Sequence, residues 1–260
     1  MSLVNILNQT KDNPAFPDLI WSKPENRTQA GHMALIGGNL NGFNSLSKAY
    51  TLLNKEVVGA VVIELPDALF KKLKGLLPEG HYLPSNPSGG FSKLALGQML
   101  EISNSVDHTL FVGEMGANSE TEIVLERFLE EFNGNITVNG DAINLLSNIY
   151  KKVFERGNIN LVIEFSKLQK LGIKLGLEKA ITSDISINSL AEILISITTK
   201  YNVSLVTYHL GKCIYAHIGK VGSTPITEDY EAIAVKSSVW IMQNPSKVFE
   251  ALASATYELI

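Results

Sequence analysis

Residues 58–65, Val-Gly-Ala-Val-Val-Ile-Glu-Leu, form a nearly continuous apolar run of strand length. A strand with one wet face would alternate apolar and polar residues. This one calls for cover on both faces, as in a mostly parallel sheet packed between helices. The same logic repeats along the chain. Residues 32–36 read as a strand closed by Gly37-Gly38, and Leu46, Ala49, Tyr50 and Leu53 give helical spacing over 44–54. Pro66-Asp67 stops the apolar strand and starts a helix through Leu69, Phe70 and Leu73.

Further on, residues 78–90 are rich in Pro, Gly, Ser and Asn and read as a loop. A helix near 91–103 and a strand at 109–112 follow. Ser119 with Glu122 fits a capping box ahead of the helix through Val124, Leu125, Phe128 and Leu129. Strands are expected at 136–138, 160–165 and 203–207, and helices from Ala142 onward and at 187–200. Residues 212–218 follow a Gly211 turn and predict a late antiparallel hairpin. The last thirty residues read as helix broken near Asn244-Pro245. Residues 1–28, with Pro14, Pro17 and Pro24, read as irregular.

Alternating strands and helices predict a three-layer αβα fold with a central, mostly parallel sheet. At 260 residues, without linker, repeat or low-complexity tract, the chain reads as a single domain over 1–260. A net charge of −4 gives no reason to expect nucleic acid, and Lys71-Lys72-Leu73-Lys74 reads as the wet side of a helix. No apolar stretch is long enough to span a bilayer, so no membrane partner is expected and cytoplasmic residence is the default. The single cysteine, Cys213, excludes an intrachain disulfide and reads as a buried, inert thiol. The five histidines lack metal-ligand spacing, so no metal site is assigned.

Two glycine-rich strand exits carry what chemistry is legible. Gly37, Gly38 and Asn39 would admit a ligand close to the backbone at a crevice of an α/β sheet, or serve only as turn and cap. Gly113 and Gly116 form a second candidate wall, with Glu114 between them as a cation or hydroxyl binder or a solvated loop acid. Asn139 and Asp141 lie at a further strand-to-helix junction, where Asp141 would face a ligand or a hydrated magnesium ion, or cap the helix. No loop has the lysine and hydroxyl of a P-loop.

The order and spacing of these segments resemble the ribokinase-like superfamily, and within it the carbohydrate-kinase-like, ATP- or ADP-dependent NAD(P)H-hydrate dehydratase family. The resemblance runs from Arg27 to Gly31, through Ala34-Leu35-Ile36-Gly37-Gly38-Asn39 and Gly42, to the segment from Ile63 to Leu69 and Leu77-Pro78-Glu79. Val112-Gly113-Glu114-Met115-Gly116 stands in place of a Gly-Pro-Gly-Leu-Gly loop. Asn139-Gly140-Asp141-Ala142-Ile143-Asn144-Leu145-Leu146 resembles the family's Asp-Ala-Asp-Ala-Leu-Asn-Leu-Leu.

By that resemblance, Ile226-Thr227-Glu228-Asp229 matches a Gly-Thr-Gly-Asp anion hole. Thr227 would then line the nucleotide site and Asp229 would be the catalytic base. ATP or ADP with Mg²⁺ is the implied cofactor, a small molecule or nucleotide the implied ligand, and a homo-oligomer the implied assembly.

The departures fall on chemistry. Ile163 to Leu168 replaces Thr-Pro-His-Pro-Gly-Glu, Tyr208-His209 replaces a Lys-Gly pair, and Glu228 replaces an anion-hole glycine. A glutamate there sets negative charge beside a phosphate site. The sequence therefore predicts a divergent, catalytically weak or inactive relative that keeps a nucleotide or small-molecule crevice. An active hydrate dehydratase and a kinase of another small alcohol are the alternatives.

Overall fold

The computed structural model describes residues 4–146 and 148–260. Their strands in chain order are β1 (Leu7–Asn8), β2 (His32–Gly37), β3 (Ala60–Pro66), β4 (His81–Leu83) and β5 (His108–Val112). β6 (Asn135–Asn139), β7 (Ile159–Val162), β8 (Val203–His209), β9 (Lys212–His217) and β10 (Lys220–Thr224) follow. The helices are α1 (Pro17–Trp21), α2 (Asn44–Leu53), α3 (Phe70–Leu73), α4 (Leu96–Asn104), α5 (Ser119–Glu131) and α6 (Asp141–Leu146). They continue with α7 (Tyr150–Arg156), α8 (Phe165–Lys174), α9 (Ile187–Lys200), α10 (Tyr230–Gln243) and α11 (Val248–Tyr257).

All ten strands join one sheet in the order β1-β10-β9-β8-β7-β6-β5-β2-β3-β4. Strands β8 to β4 along that order are parallel, and β9 runs antiparallel to both of its neighbours. Apolar residues of α1, α2, α3, α10 and α11 cover one face of the sheet. Those of α4 to α9 cover the other. The expected three-layer αβα architecture and late hairpin are present. Burial on both faces explains the run at 58–65: Ile63 and Leu65 join the apolar layer that includes residues of α2 and α10, while Glu64 shares the opposite face with Ile36.

Several local expectations are corrected. The first 28 residues are not wholly irregular. β1 pairs with β10, and Pro17 opens α1 at a position where its missing N–H costs nothing. The loop over 78–90 contains β4, whose backbone bonds extend the sheet edge beyond β3. Asn118, not Ser119, caps α5, because its side chain accepts from the Glu120 N–H at 2.8 Å. β7 ends at Val162, and Phe165 already begins α8.

β10 adds a strand beyond the expected hairpin, in the polar and glycine-containing segment Gly222-Ser223-Thr224. Gly222 lies against the Tyr215 ring, where an added Cβ would sit 2.4 Å from the ring carbons. Ser223 donates to Asn8 Oδ1 at 2.8 Å, and Thr224 accepts from Gln9 at 2.7 Å, so both buried hydroxyls are paired.

An ion-pair system fixes α10 behind the sheet. Lys236 reaches Glu56 and Glu258, each at 2.8 Å, and Lys23 joins Glu258 at 2.9 Å. Two ammonium groups thus meet two carboxylates, and the buried Trp240 donates to Glu258 Oε2 at 3.0 Å. The matched charges anchor the helix whose first turn faces the strand ends. Among the described residues no helix is long and apolar enough to cross a membrane.

Candidate functional site

The chain leaves β2 for β3 and β4 on one side, then returns to β5 on the other. The crevice at such a switch, beyond the carboxyl ends of the strands, is where open α/β sheets hold ligands. Both glycine loops lie there. β2 and β5 run in register to the Gly37–Val112 pair, and a Cβ on Gly37 would meet the Val112 carbonyl oxygen at 2.2 Å. Gly113 follows at φ +75°, and its added Cβ would strike Ser45 at 2.6 Å. Only glycine allows the two loops and the start of α2 to approach this closely.

Within the first loop Asn39 N–H donates to the Gly42 carbonyl at 2.8 Å, and Asn41 N–H donates to Asn39 Oδ1 at 2.8 Å. Asn39 Nδ2 crosses to the Glu114 carbonyl at 3.0 Å, joining the loops. Gly38, at φ +82°, faces Leu69 and Leu46. Gly116 packs with its open side toward the Asn39 amide, 3.7 Å from an ideal Cβ. The segment around Ser88-Gly89-Gly90 leans over this turn, with Gly89 O accepting from the Leu40 N–H at 3.0 Å.

The third junction meets the second. Asp141 N–H donates to the Gly113 carbonyl at 3.0 Å, and Gly140 packs on the Gly113 backbone. Asn139 is buried and its Nδ2 donates to the Val162 carbonyl at 3.0 Å, tying β6 to β7. Lys167 of α8 donates to the Gly140 carbonyl at 3.2 Å and to Glu164 at 2.6 Å.

Thr227 and Glu228 are exposed in the turn from β10 into α10. Asp229 is the N-cap of α10: its Oδ1 accepts from the Ala232 N–H at 3.0 Å. The same oxygen accepts from Lys48 Nζ at 2.7 Å. Lys48 also donates to Glu231 Oε2 at 3.2 Å, and Ser45 Oγ donates to Glu231 Oε1 at 2.9 Å. Glu114 Oε2 accepts from the Ser45 N–H at 3.3 Å, so its carboxylate sits in the first turn of α2.

Burial works to raise the Asp229 pKa. The hydrogen bonds from Lys48 and the Ala232 N–H outweigh it and hold the carboxyl below its ordinary value. Lys48 is likewise opposed by burial, but its two carboxylate partners raise it and keep it charged.

The segments that depart from the family pattern are filled with ring systems. Phe165 stacks on His209 with centroids 4.2 Å apart, and His209 Nε2 donates to the Ile185 carbonyl at 2.7 Å. Burial, with the Glu228 charge nearby, pushes the Tyr230 hydroxyl up to about 12.

Gly37, Gly38, Asn39, Gly113, Gly116 and Asp141 are therefore gathered at one mouth. Asp229 joins them through Lys48 and Glu231, Asn139 lies beneath, and Thr227 stands on the rim. Sequence reasoning passed over Ser45, Lys48 and Glu231. The available signal was the spacing of Ser45 and Lys48, three apart on the helix that leaves the first glycine loop.

No protein-family model matches the sequence, and no curated protein matches it. Solved structures do. A ribokinase-like superfamily protein from Enterococcus faecalis V583 superposes with a TM-score of 0.73 at 15% identity, covering 97% of this chain and 85% of that one. A hypothetical protein from Streptococcus mutans gives 0.67 at 18% identity, over 92% of this chain and 84% of that one. The ADP/ATP-dependent NAD(P)H-hydrate dehydratase from Bacillus subtilis, co-crystallised with ATP/Mg²⁺, gives 0.66 at 10% identity, over 97% and 87%. The fold is ribokinase-like. The Bacillus subtilis NAD(P)H-hydrate dehydratase shares that fold at 10% identity.

Proposed function

We propose that this protein is a catalytically weak or inactive relative of the NAD(P)H-hydrate dehydratases that keeps a small-molecule or nucleotide crevice. The observation that carries this reading is the engagement of Asp229 by Lys48 and by its own helix. An efficient general base has a pKa near working pH. Asp229 Oδ1 already accepts two hydrogen bonds, and those bonds lower its basicity.

The anion positions support the same conclusion. Phosphoryl transfer depends on donors and positive charge aimed at the phosphate. Here Glu114 takes the first turn of α2, Asp229 caps α10, and Glu228 stands in the connecting turn. Nor do the residues fit a magnesium–nucleotide complex as they stand. The two carboxylates at the start of α10, Asp229 and Glu231, already share the Lys48 ammonium.

The test is turnover of hydrated NADH by the full chain with Mg²⁺ and ATP or ADP, beside calorimetric titration with each nucleotide. The expected result is regeneration of NADH at or barely above the uncatalysed rate. Efficient multiple-turnover regeneration that disappears in Asp229→Asn would overturn the proposal and establish the active enzyme. ADP formation with other small alcohols, lost in the same variant, would instead establish the alternative kinase.

A further inference from the structure

We infer that Lys48 is a tethered cation, its ammonium filling the position between Asp229 and Glu231 that a divalent metal ion would otherwise take. The inference rests on the reading above of this crevice as a silenced relative of a phosphoryl-transfer site, and it names the residue that keeps the site free of metal.

The geometry converges on one point. Lys48 Nζ lies 2.7 Å from Asp229 Oδ1 and 3.2 Å from Glu231 Oε2. Neither carboxylate is free to turn away: Asp229 Oδ1 is held by the Ala232 N–H, and Glu231 Oε1 by Ser45 Oγ. Both acids come from the start of α10, while Ser45 and Lys48 come from α2, so two helices fix opposite sides of the contact.

Without the ammonium, two carboxylates would face one spot. Like charges so placed either take up a proton or recruit a cation. Magnesium and manganese commonly bind through one or two carboxylates and complete their shells with water or phosphate oxygen. A lysine supplies the charge instead, but no open coordination position and no Lewis acidity. The ligand class left to the crevice is one that arrives without a chelated metal.

An ordinary surface ion pair makes a different forecast, since its removal would leave metal binding unchanged. Mn²⁺ binding to the full chain, read by the paramagnetic resonance of the free ion and by calorimetry, separates the two. Wild type is expected to show no saturable site below millimolar Mn²⁺. Lys48→Met is expected to bind at least about tenfold more tightly, because two carboxylates lose their counter-ion. Glu231→Gln added to Lys48→Met should return affinity to the wild-type level.

Lys48→Arg, which keeps the charge, should bind no more Mn²⁺ than wild type, and Lys48→Gln serves as the neutral variant if methionine impairs folding. Equal Mn²⁺ binding by wild type and the neutral variants, or strong binding by wild type itself, would overturn the inference. Neither result would bear on hydrated NADH turnover, which alone decides the functional reading.

Discussion

Lys48 Nζ donates to Asp229 Oδ1 across 2.7 Å, joining residues 181 positions apart in the chain. The bond connects the helix after the first glycine loop to the cap of α10 and closes the mouth of the sheet. Its energetic value is modest, because both side chains are more than a third exposed and water screens the pair. The cap carries more. Asp229→Ala is expected to cost about 1 kcal/mol, whereas Asp229→Asn, which still accepts from the Ala232 N–H, should cost about half of that or less.

The pH dependence has a definite sign. The folded carboxyl is held below its unfolded value, so its contribution is present above the ordinary carboxylate range and is lost as pH falls through the folded pKa. Thermal melts of wild type and Asp229→Ala should therefore converge in acid. A gap that stays constant with pH would show that the Asp229 charge contributes nothing.

Lys236 is the most exacting of the charged residues to replace. It lies between Glu56 and Glu258 with only about a fifth of its side chain exposed. Burial opposes its charge, yet the hydrogen bonds to Glu258 and Glu56 raise its pKa above the ordinary value. Lys236→Met leaves the buried Glu56 and the half-buried Glu258 to share Lys23 and should cost about 3 kcal/mol. Chemical denaturation measures this directly. Adding Glu56→Gln should recover part of the loss, since it removes one of the unpaired charges.

The two hairpin tips carry strain that can be relieved. Leu210 at φ +47° and Ile218 at φ +41° each precede a glycine in a two-residue turn, and both side chains are exposed. Such turns favour Asn-Gly, because asparagine tolerates the left-handed region and a β-branched residue does not. Leu210→Asn and Ile218→Asn should each raise stability by about 0.5–1 kcal/mol, with the larger gain at Ile218. A loss at either position would mean that the exposed side chain makes a contact worth more than the strain.

The parts of the fold that could be read from sequence are those governed by local pattern. Continuous apolar strands, glycine exits and helical spacing are written within a dozen residues, so β2, α2, β5 and α9 were legible. β1 and β10 were not, because their two and five residues are polar or glycine-rich and are paired through Asn8, Gln9, Tyr215 and Thr256. The candidate site divides in the same way. Its glycine walls follow from strand exits, but Lys48 gains its role only from α10, far along the chain. Asn139, at a promising junction, has its amide committed to Val162.

Glu64 is a core carboxyl without compensation. It is fully buried on β3, neither side-chain oxygen has a hydrogen-bond partner, and its neighbours in register are Ile36 and His81. Burial pushes its pKa up to about 9, from 4.5 for the unperturbed group. Between those values the folded protein retains a proton that the unfolded chain has released. Stability is therefore greatest below the unfolded pKa and falls as pH rises toward the folded one. At neutral pH the penalty is about 3 kcal/mol. Glu64→Gln removes the titration, so the excess of its melting temperature over wild type should grow as pH rises toward about 9 and vanish near about pH 4. Glu64→Met, which also removes the unpaired polar atoms, should gain more at neutral pH. Parallel pH profiles for wild type and Glu64→Gln would show instead that the buried carboxyl has the same proton affinity in both states.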